Sequence, residues 1–162
     1  NVYINDVRLV NGIITFRASA TTAVSAQVIN AGATDTIVFN DESTAPNHNV
    51  HQKYVRATGI YTIIRDGIYE FSSQVSVTLS AADSSHFSDI DSFIQILAGG
   101  VVSAINYGEA ISTTKAQFKI TTGPVSLKKD DEVKVQIING SAKDMTVVNT
   151  VGYSYFNGKE ID

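Results

Sequence analysis

The chain has 162 residues, of which 43% are apolar and 17% are charged, and its net charge is −4. This length predicts one domain, and the apolar fraction is too high for a disordered chain. The acidic balance argues against nucleic acid as a partner, and no apolar run approaches the ~18 residues that membrane insertion requires. Cysteine is absent, which excludes disulfide scaffolds, thiolate metal sites and cysteine nucleophiles.

Most segments have the composition of β-strands, because they are rich in β-branched and aromatic residues and are separated by Gly, Asn, Asp and Ser. We predict strands over residues 7–10, 13–19, 24–30, 36–40, 59–64, 67–79, 92–97, 101–107, 116–121, 125–127, 132–138 and 147–156. Four dipeptides in which Gly or Asn tolerates positive φ mark tight turns, namely Asn11-Gly12, Asp66-Gly67, Gly99-Gly100 and Asn139-Gly140. Without an amphipathic helical segment, the pattern predicts an all-β sandwich.

Two of the predicted strands alternate clearly between apolar and polar residues, which indicates burial on one face. In residues 132–138, every second side chain is apolar. In residues 67–79, alternate residues from Tyr69 to Leu79 share the apolar face, and Ile68 lies on the opposite one. An apolar side chain on the outward face favours contact with a partner surface.

Two long polar segments, residues 41–56 and 80–91, are predicted loops at the ends of the sandwich. They combine ring-bearing side chains with Asn and Asp, which suits stacking on sugar rings and hydrogen bonding to sugar hydroxyls. The candidate ligand-binding residues are His48, His51, Tyr54 and Phe87. Calcium prefers several oxygen ligands, and the second loop offers Asp83, Asp89 and Asp91 for that ion. We expect no other cofactor.

The sequence contains no recognisable catalytic motif, such as a Gly-x-Ser-x-Gly elbow or a phosphate loop. The remaining enzymatic hypothesis is a small hydrolase that uses carboxylates, with Glu70, Glu109 and Glu132 as candidates. Carboxylates in such strands and turns are more often solvated, so we predict that the chain is not an enzyme. Asn139-Gly140-Ser141 has the sequence of an N-glycosylation site.

Residues 59–72 contain a strand, a tight turn and the sequence Gly67-Ile68-Tyr69-Glu70-Phe71 at the start of a long strand. This arrangement resembles the Gly-x-Tyr-x-Phe signature of the C1q/TNF-like superfamily. Other segments resemble landmarks of that family in the expected order, namely residues 16–19, 37–40, 93–100, 125–135 and 154–158. We therefore divide the chain into a C1q/TNF-like domain over residues 16–162 and a lead-in strand or stalk end over residues 1–15.

Two segments depart from the pattern of that family. Asp130 stands where Gly usually precedes Asp131, so the turn is expected to differ. Lys159 and Glu160 occupy positions that are often apolar, so the last strand is expected to end early.

The resemblance implies an antiparallel jelly-roll sandwich that assembles as a homotrimer around aromatic and aliphatic faces. The residues that it assigns to the core or trimer contact are Phe16, Phe39, Tyr61, Tyr69, Phe71 and Phe156. The leading hypothesis is a non-enzymatic trimeric head domain of a surface fibre, with a bacteriophage head or tail fibre as its sharpest version. Such a domain would lie at an extracellular or virion surface and attach to a cell-surface glycan or protein. The alternatives are a monomeric carbohydrate-binding module of a secreted bacterial enzyme and an extracellular C1q-like binding domain.

Overall fold

The structure is a computed structural model that describes residues 14–22, 25–44, 47–49, 51–79, 90–98, 101–103, 109–110, 115–150 and 152–161. These residues form fourteen strands: β1 Thr15–Ser19, β2 Val28–Ile29, β3 Thr34–Thr36, β4 Tyr54–Val55, β5 Ile60–Thr62, β6 Gly67–Leu79, β7 Ile90–Ala98, β8 Val101–Ser103, β9 Glu109–Ala110, β10 Lys115–Thr121, β11 Val125–Leu127, β12 Glu132–Asn139, β13 Met145–Val147 and β14 Tyr155–Ile161. The described residues include no helix long and apolar enough to cross a membrane. The predicted all-β class is confirmed.

The strands form two antiparallel sheets that enclose one hydrophobic core. In the first sheet the order is β1-β14-β6-β10-β9, while β11 and β13 also pair with β6, and β2 pairs with β13. In the second sheet the order is β4-β5-β12-β7-β8, and β3 also pairs with β12. The first and last strands are hydrogen-bonded neighbours, so the fold closes by long-range pairing, as a jelly roll does.

The alternation predicted for β6 and β12 is visible in the burial of their side chains. Phe71 and Val75 of β6 are fully buried, whereas Ile68 on the opposite face is 44% exposed. Val133 and Val135 of β12 are also fully buried. Because side chains alternate between the faces of a strand, both sheets turn one apolar face inward, and burying that area is the main stabilising term of the fold.

An aromatic cluster fills the centre of the core. It contains all six residues that the resemblance assigned to the core or trimer contact: Phe16, Phe39, Tyr61, Tyr69, Phe71 and Phe156. The ring of Phe16 stacks on Tyr61 with 4.0 Å between centroids. Gly158 lies beside Phe16 and Phe71 in register, and an added Cβ would come within 2.6 and 2.5 Å of these rings. The glycine of the segment 154–158 is therefore required by packing.

Several predicted strand boundaries are wrong. The single strand predicted over residues 147–156 is two strands, since β13 ends at Val147 and β14 begins at Tyr155. The two-residue strand β4 was missed, because so short a segment in a polar loop has no measurable periodicity. The predicted strand over residues 7–10 lies outside the described residues.

The last strand does not end early, because β14 continues to Ile161. Glu160 is only 9% exposed, and its carboxylate accepts hydrogen bonds from Nε and Nη2 of Arg65 at 2.8 and 2.5 Å. The Tyr69 hydroxyl donates to the carbonyl oxygen of Arg65 at 2.8 Å. Burial, reinforced by the Glu160 carboxylate, raises the pKa of Tyr69 to about 12. A charge-assisted pair thus stabilises the strand at a position where an apolar residue was expected.

The turn at Asp130 forms despite the departure from the family pattern. Asp130 has a left-handed backbone with a φ of 73°, a conformation that glycine adopts without strain. The amide of Asp130 donates a hydrogen bond to the carbonyl oxygen of Ile63 at 2.9 Å. The amide of Ile63 donates in turn to the carbonyl oxygen of Asp131 at 2.9 Å. The substitution therefore costs backbone strain without preventing the turn.

Candidate functional site

The first predicted binding loop, residues 41–56, is fastened to the edge strand β1. Arg17 and His48 form an antiparallel bridge, with their amides donating to each other's carbonyl oxygens at 2.8 and 3.0 Å. Within the loop, the carboxylate of Asp41 accepts a hydrogen bond from the amide of Thr44 at 2.9 Å. Burial acts to raise the pKa of Asp41, but hydrogen bonds such as this one outweigh it and hold the pKa below its usual value. The loop backbone is therefore held against the sheet.

The ring of Tyr54 is part of the core. Its side chain is 2% exposed, and its hydroxyl accepts a hydrogen bond from the amide of Phe39 at 2.8 Å. Burial raises the pKa of Tyr54, as expected for a phenol removed from water. The prediction that Tyr54 stacks on a ligand is wrong, because a loop that looked polar in sequence turns this ring inward.

The histidines of this loop stay at its surface. Nε2 of His48 lies 2.9 Å from Oγ1 of Thr15, and both side chains are half-buried. Burial lowers the pKa of His51, and the positive charge of Arg65 adds to the effect. His51 is therefore neutral at neutral pH and can hydrogen-bond a ligand without carrying charge. Phe87 lies outside the described residues.

The loop encloses an open groove of about 640 Å³. Asn49 shapes this groove, since its amide group accepts hydrogen bonds from the Lys53 and Tyr54 amides and donates to the Tyr54 carbonyl oxygen. Gln52 has a φ of 53°, a strained conformation for a residue with a side chain, and such strain concentrates at functional sites. The exposed side chains of Gln52 and Arg56 offer polar groups to a ligand in this groove, and Glu42, Ser43 and His48 also line it.

A second concavity, which we call the sheet cleft, lies on the outer face of the first sheet and has a volume of about 440 Å³. Its side chains form two rows across the strands, with Arg17, Asn157, Ser72 and Thr121 in one row and Thr15, Lys159 and Glu70 in the other. The Ser72 hydroxyl donates to Oδ1 of Asn157 at 2.8 Å. Nζ of Lys159 lies 3.6 Å from a carboxylate oxygen of Glu70. The cleft therefore combines two cations and one carboxylate with neutral hydrogen-bonding groups.

The carboxylates considered for a hydrolase do not converge among the described residues. Glu70 lies on the outer face of the first sheet, whereas Glu132 begins β12 in the second sheet and is exposed. Only the backbone of Glu109 is described. The two located carboxylates belong to opposite layers, so they do not form the acid and base pair that flanks a glycosidic bond.

Of the three candidate calcium ligands, only Asp91 lies among the described residues, and it is exposed on β7. Asp83 and Asp89 lie outside the described residues. Within the part of the chain that the structure describes, no group of three or more His, Asp or Glu side chains could hold a metal ion.

The glycosylation sequence at Asn139 is buried. Asn139 is fully inaccessible, and its side-chain nitrogen donates to the carbonyl oxygens of Ile29, Asn30 and Lys143 at 3.1, 3.2 and 2.8 Å. Its side-chain oxygen accepts hydrogen bonds from the amide and hydroxyl of Ser141. This amide links the turn after β12 to the end of β2, so its role in the folded domain is structural.

Similar folds are known for proteins of very different sequence. The chain matches the globular domain of zebrafish complement 1qA with 14% identity and a TM-score of 0.57, over 90% of this chain and 94% of that one. It matches the Eiger TNF of S. frugiperda with 12% identity and a TM-score of 0.61, over 93% of both chains. It matches murine APRIL with 11% identity and a TM-score of 0.62, over 92% of this chain and 99% of that one. The chain thus has the C1q/TNF-like jelly-roll fold. No family model matches the sequence, and no curated protein sequence is significantly similar to it.

Sequence reasoning missed the sheet cleft. Its cations, Arg17 and Lys159, belong to strands that are distant in the chain and adjacent in the sheet. The guanidinium carbon of Arg17 lies 4.2 Å from the ring centroid of Tyr155, a cation–π contact across the same two strands. Alternation in residues 15–19 places Arg17 on the face opposite Phe16. This pattern was the one feature of the sequence that could have identified Arg17 as an outward-facing cation of the first strand.

Proposed function

We propose that the chain is a non-enzymatic, self-associating head domain that forms a homotrimer at the end of a surface fibre. A bacteriophage head or tail fibre that attaches to a host cell surface is the specific version of this proposal. The observation that carries it is the likeness to C1q and TNF folds over at least nine-tenths of the chain. The domain would lie at an extracellular or virion surface.

The closed aromatic core determines where a trimer contact must be sought. The six aromatic residues that the resemblance assigned to the core or trimer contact are at most 2% exposed, so they stabilise the single chain and are not available to a partner. A trimer contact must therefore use outward side chains. Ile68 supports this proposal, since it is 44% exposed on the outer face of β6, directly beside Ile161 of β14. Exposed apolar area of this kind favours association.

The native mass in solution tests the proposal. Sedimentation equilibrium should give three times the chain mass of 17.4 kDa. Ile68→Asp should shift the mass towards the single chain, because it introduces a charge into the proposed contact. Val55→Asp is the matched control, since Val55 is 46% exposed in the second sheet and its replacement should leave the trimer intact. A folded single chain at all concentrations would refute the trimer.

A monomeric carbohydrate-binding module is the second candidate function. The polar groove of the loop 41–56, with the strained Gln52 and the exposed Arg56, favours it. It requires sugar binding by the single chain, and Arg56→Gln and Gln52→Ala should weaken that binding. Sedimentation separates the two proposals, because the module binds as a monomer.

A further inference from the structure

The groove of the loop 41–56 opens at the edge of the second sheet. Tyr54 and Val55, which form the edge strand β4, line it together with the turn residues Arg56 and Ala57. Ile68, which supports the proposed contact between copies of the chain, lies instead on the outer face of the first sheet. The exposed Val55 is also the position whose replacement should leave the trimer intact. A ligand in this groove can therefore be tested separately from the trimer.

The amide side chains inside the groove use their hydrogen bonds within the loop. The side-chain oxygen of Asn47 accepts from the Ser19 hydroxyl at 2.6 Å, and its nitrogen donates to the carboxylate of Asp41. Asn49 accepts from two backbone amides and donates to one backbone carbonyl oxygen and, at 3.1 Å, to one carboxylate oxygen of Glu42. These two amides shape the groove and have little capacity left for a ligand.

Four polar side chains of the groove keep hydrogen-bonding capacity for a ligand. Glu42 is half-buried, and its carboxylate accepts a single hydrogen bond from the described residues, so its second oxygen remains an acceptor. The side chains of Ser43, Gln52 and Arg56 are exposed and have no hydrogen bond or ion pair with the described residues. Together the four provide one anion, one cation and two neutral groups that both donate and accept.

This inventory indicates the charge of the ligand. A charged ligand is attracted by either Glu42 or Arg56 and repelled by the other, so the groove gives no net advantage to either sign. A hydroxyl group, in contrast, can donate to Glu42 and accept from Arg56. The half-buried charge of Glu42 is screened less than the exposed charge of Arg56, so an acidic ligand is the least favoured.

The shape of the groove indicates how such a ligand is held. Its volume of about 640 Å³ lies within the range of small-ligand sites. Tyr54 is the only aromatic residue among its described lining residues, and its ring belongs to the core at 2% exposure, so it offers no face for stacking. Recognition must therefore use the hydroxyl edge of a sugar ring and not its apolar face.

We propose that this groove binds an uncharged saccharide, with Glu42 accepting hydrogen bonds from its hydroxyls and Arg56 and Gln52 donating to its hydroxyl oxygens. This ligand class rests on the sugar binding of the second candidate function, and it makes Glu42 the residue that determines specificity. Every residue involved belongs to one chain, so the site exists in a single chain and in a trimer alike.

The test is an NMR titration of the full chain with the methyl glycosides of glucose, galactose and mannose. Glucuronate and glucosamine serve as charged analogues, and glycerol provides hydroxyls without a sugar ring. At least one methyl glycoside should shift the backbone amides of residues 51–57. It should bind about fivefold more tightly than glucosamine or glycerol and about tenfold more tightly than glucuronate.

Two variants change the charge of the groove with little change in shape. Glu42→Gln keeps an acceptor for Asn49, and it should weaken binding of the methyl glycoside by about tenfold, the effect of losing one charge-assisted hydrogen bond. It should also strengthen glucuronate binding, because it removes the repelling carboxylate, and a merely structural role of Glu42 would not produce that gain. Arg56→Gln should weaken the methyl glycoside and strengthen glucosamine for the corresponding reason.

Matched controls make the same charge changes outside the groove. Glu132→Gln removes a carboxylate from an exposed position of the second sheet, and Lys53→Gln removes a cation from an exposed position of the same loop. Each should change the affinity for the methyl glycoside by less than about twofold, because exposed charges outside the site are screened.

Three results would overturn the uncharged ligand while leaving the second candidate function in place: a charged sugar that binds as tightly as every methyl glycoside, glycerol that binds as tightly, or equal losses in Glu42→Gln and Glu132→Gln. Binding of no sugar at all would refute the module and this site together. Sedimentation of the same samples decides the trimer independently, because a trimer with sugar in the groove refutes the monomeric module alone.

Discussion

Gly59 and Gly32 allow a direct test of how tightly the backbone packs beside Ile37 in the second sheet. Both glycines have a left-handed backbone, with φ of 74° and 76°. A Cβ added at Gly59 would lie 2.6 Å from the carbonyl oxygen of Ile37, whereas one added at Gly32 would meet nothing within 4 Å. The two alanine variants should therefore have the same backbone strain, but only the variant at Gly59 should have a steric clash.

The expected magnitudes follow from these contacts. The left-handed backbone costs an alanine about 1–2 kcal/mol at either position. The clash at Gly59 adds about 1–3 kcal/mol, as overpacking does in a close-packed interior. The carbonyl cannot easily move aside, because the amide of Ile37 donates to the carbonyl oxygen of Val135 at 2.8 Å. Gly59→Ala should thus lower the free energy of unfolding by about 2–5 kcal/mol, and Gly32→Ala should lower it by about 1–2 kcal/mol.

Urea unfolding at one protein concentration measures both variants, and holding the concentration constant removes the effect of association on apparent stability. In thermal unfolding, the difference between the variants corresponds to roughly 2–4 °C for each kcal/mol in a chain of this size. Equal losses for both alanines would refute the reasoning, because they would mean that the packing around Ile37 yields to a methyl group.

The remaining predictions concern one packing contact, one turn, one buried amide and one carboxylate. Gly158→Ala should lower the free energy of unfolding by about 1–3 kcal/mol, measured in urea, because its methyl group would clash with two core rings. Asp130→Gly should raise it by about 0.5–1 kcal/mol by relieving the left-handed backbone, and an unchanged midpoint would contradict the strain. Asn139→Ala should lower the free energy of unfolding by about 3 kcal/mol, because it leaves buried carbonyl groups unpaired. Ser141→Ala should lower it by about 1 kcal/mol, because it removes one hydrogen bond to Asn139. The pKa of Asp41 is depressed in the folded chain, so its contribution to stability is complete above the ordinary value of 3.8 and is lost as the pH falls through the lower folded pKa. The protection factors of the amides in the Asp41 loop, which correct for the intrinsic pH dependence of exchange, should fall over that acidic range, and Asp41→Asn should abolish this decrease.

The parts of the fold that were predictable are those whose pattern is local. The bounds of β6 and β11 agree with the predicted strands 67–79 and 125–127, because alternation and turn residues mark both ends. Tyr54 was misplaced because a two-residue strand in a polar loop has no period to detect. Glu160 was misread because its partner Arg65 lies 95 residues away, and only the completed sheet brings the two together.

The sheet cleft illustrates the same limit for function. The net charge of −4 describes the average field of the chain, which governs long-range encounters. At physiological salt, charges more than about 8 Å apart are largely screened, so a ligand in contact with the first sheet responds to the nearest side chains. Those side chains are sorted by strand alternation, which places the cations of β1, β10 and β14 on one outward face. An acidic composition therefore argues against non-specific binding of polyanions, but it is compatible with a locally basic outward face on the first sheet.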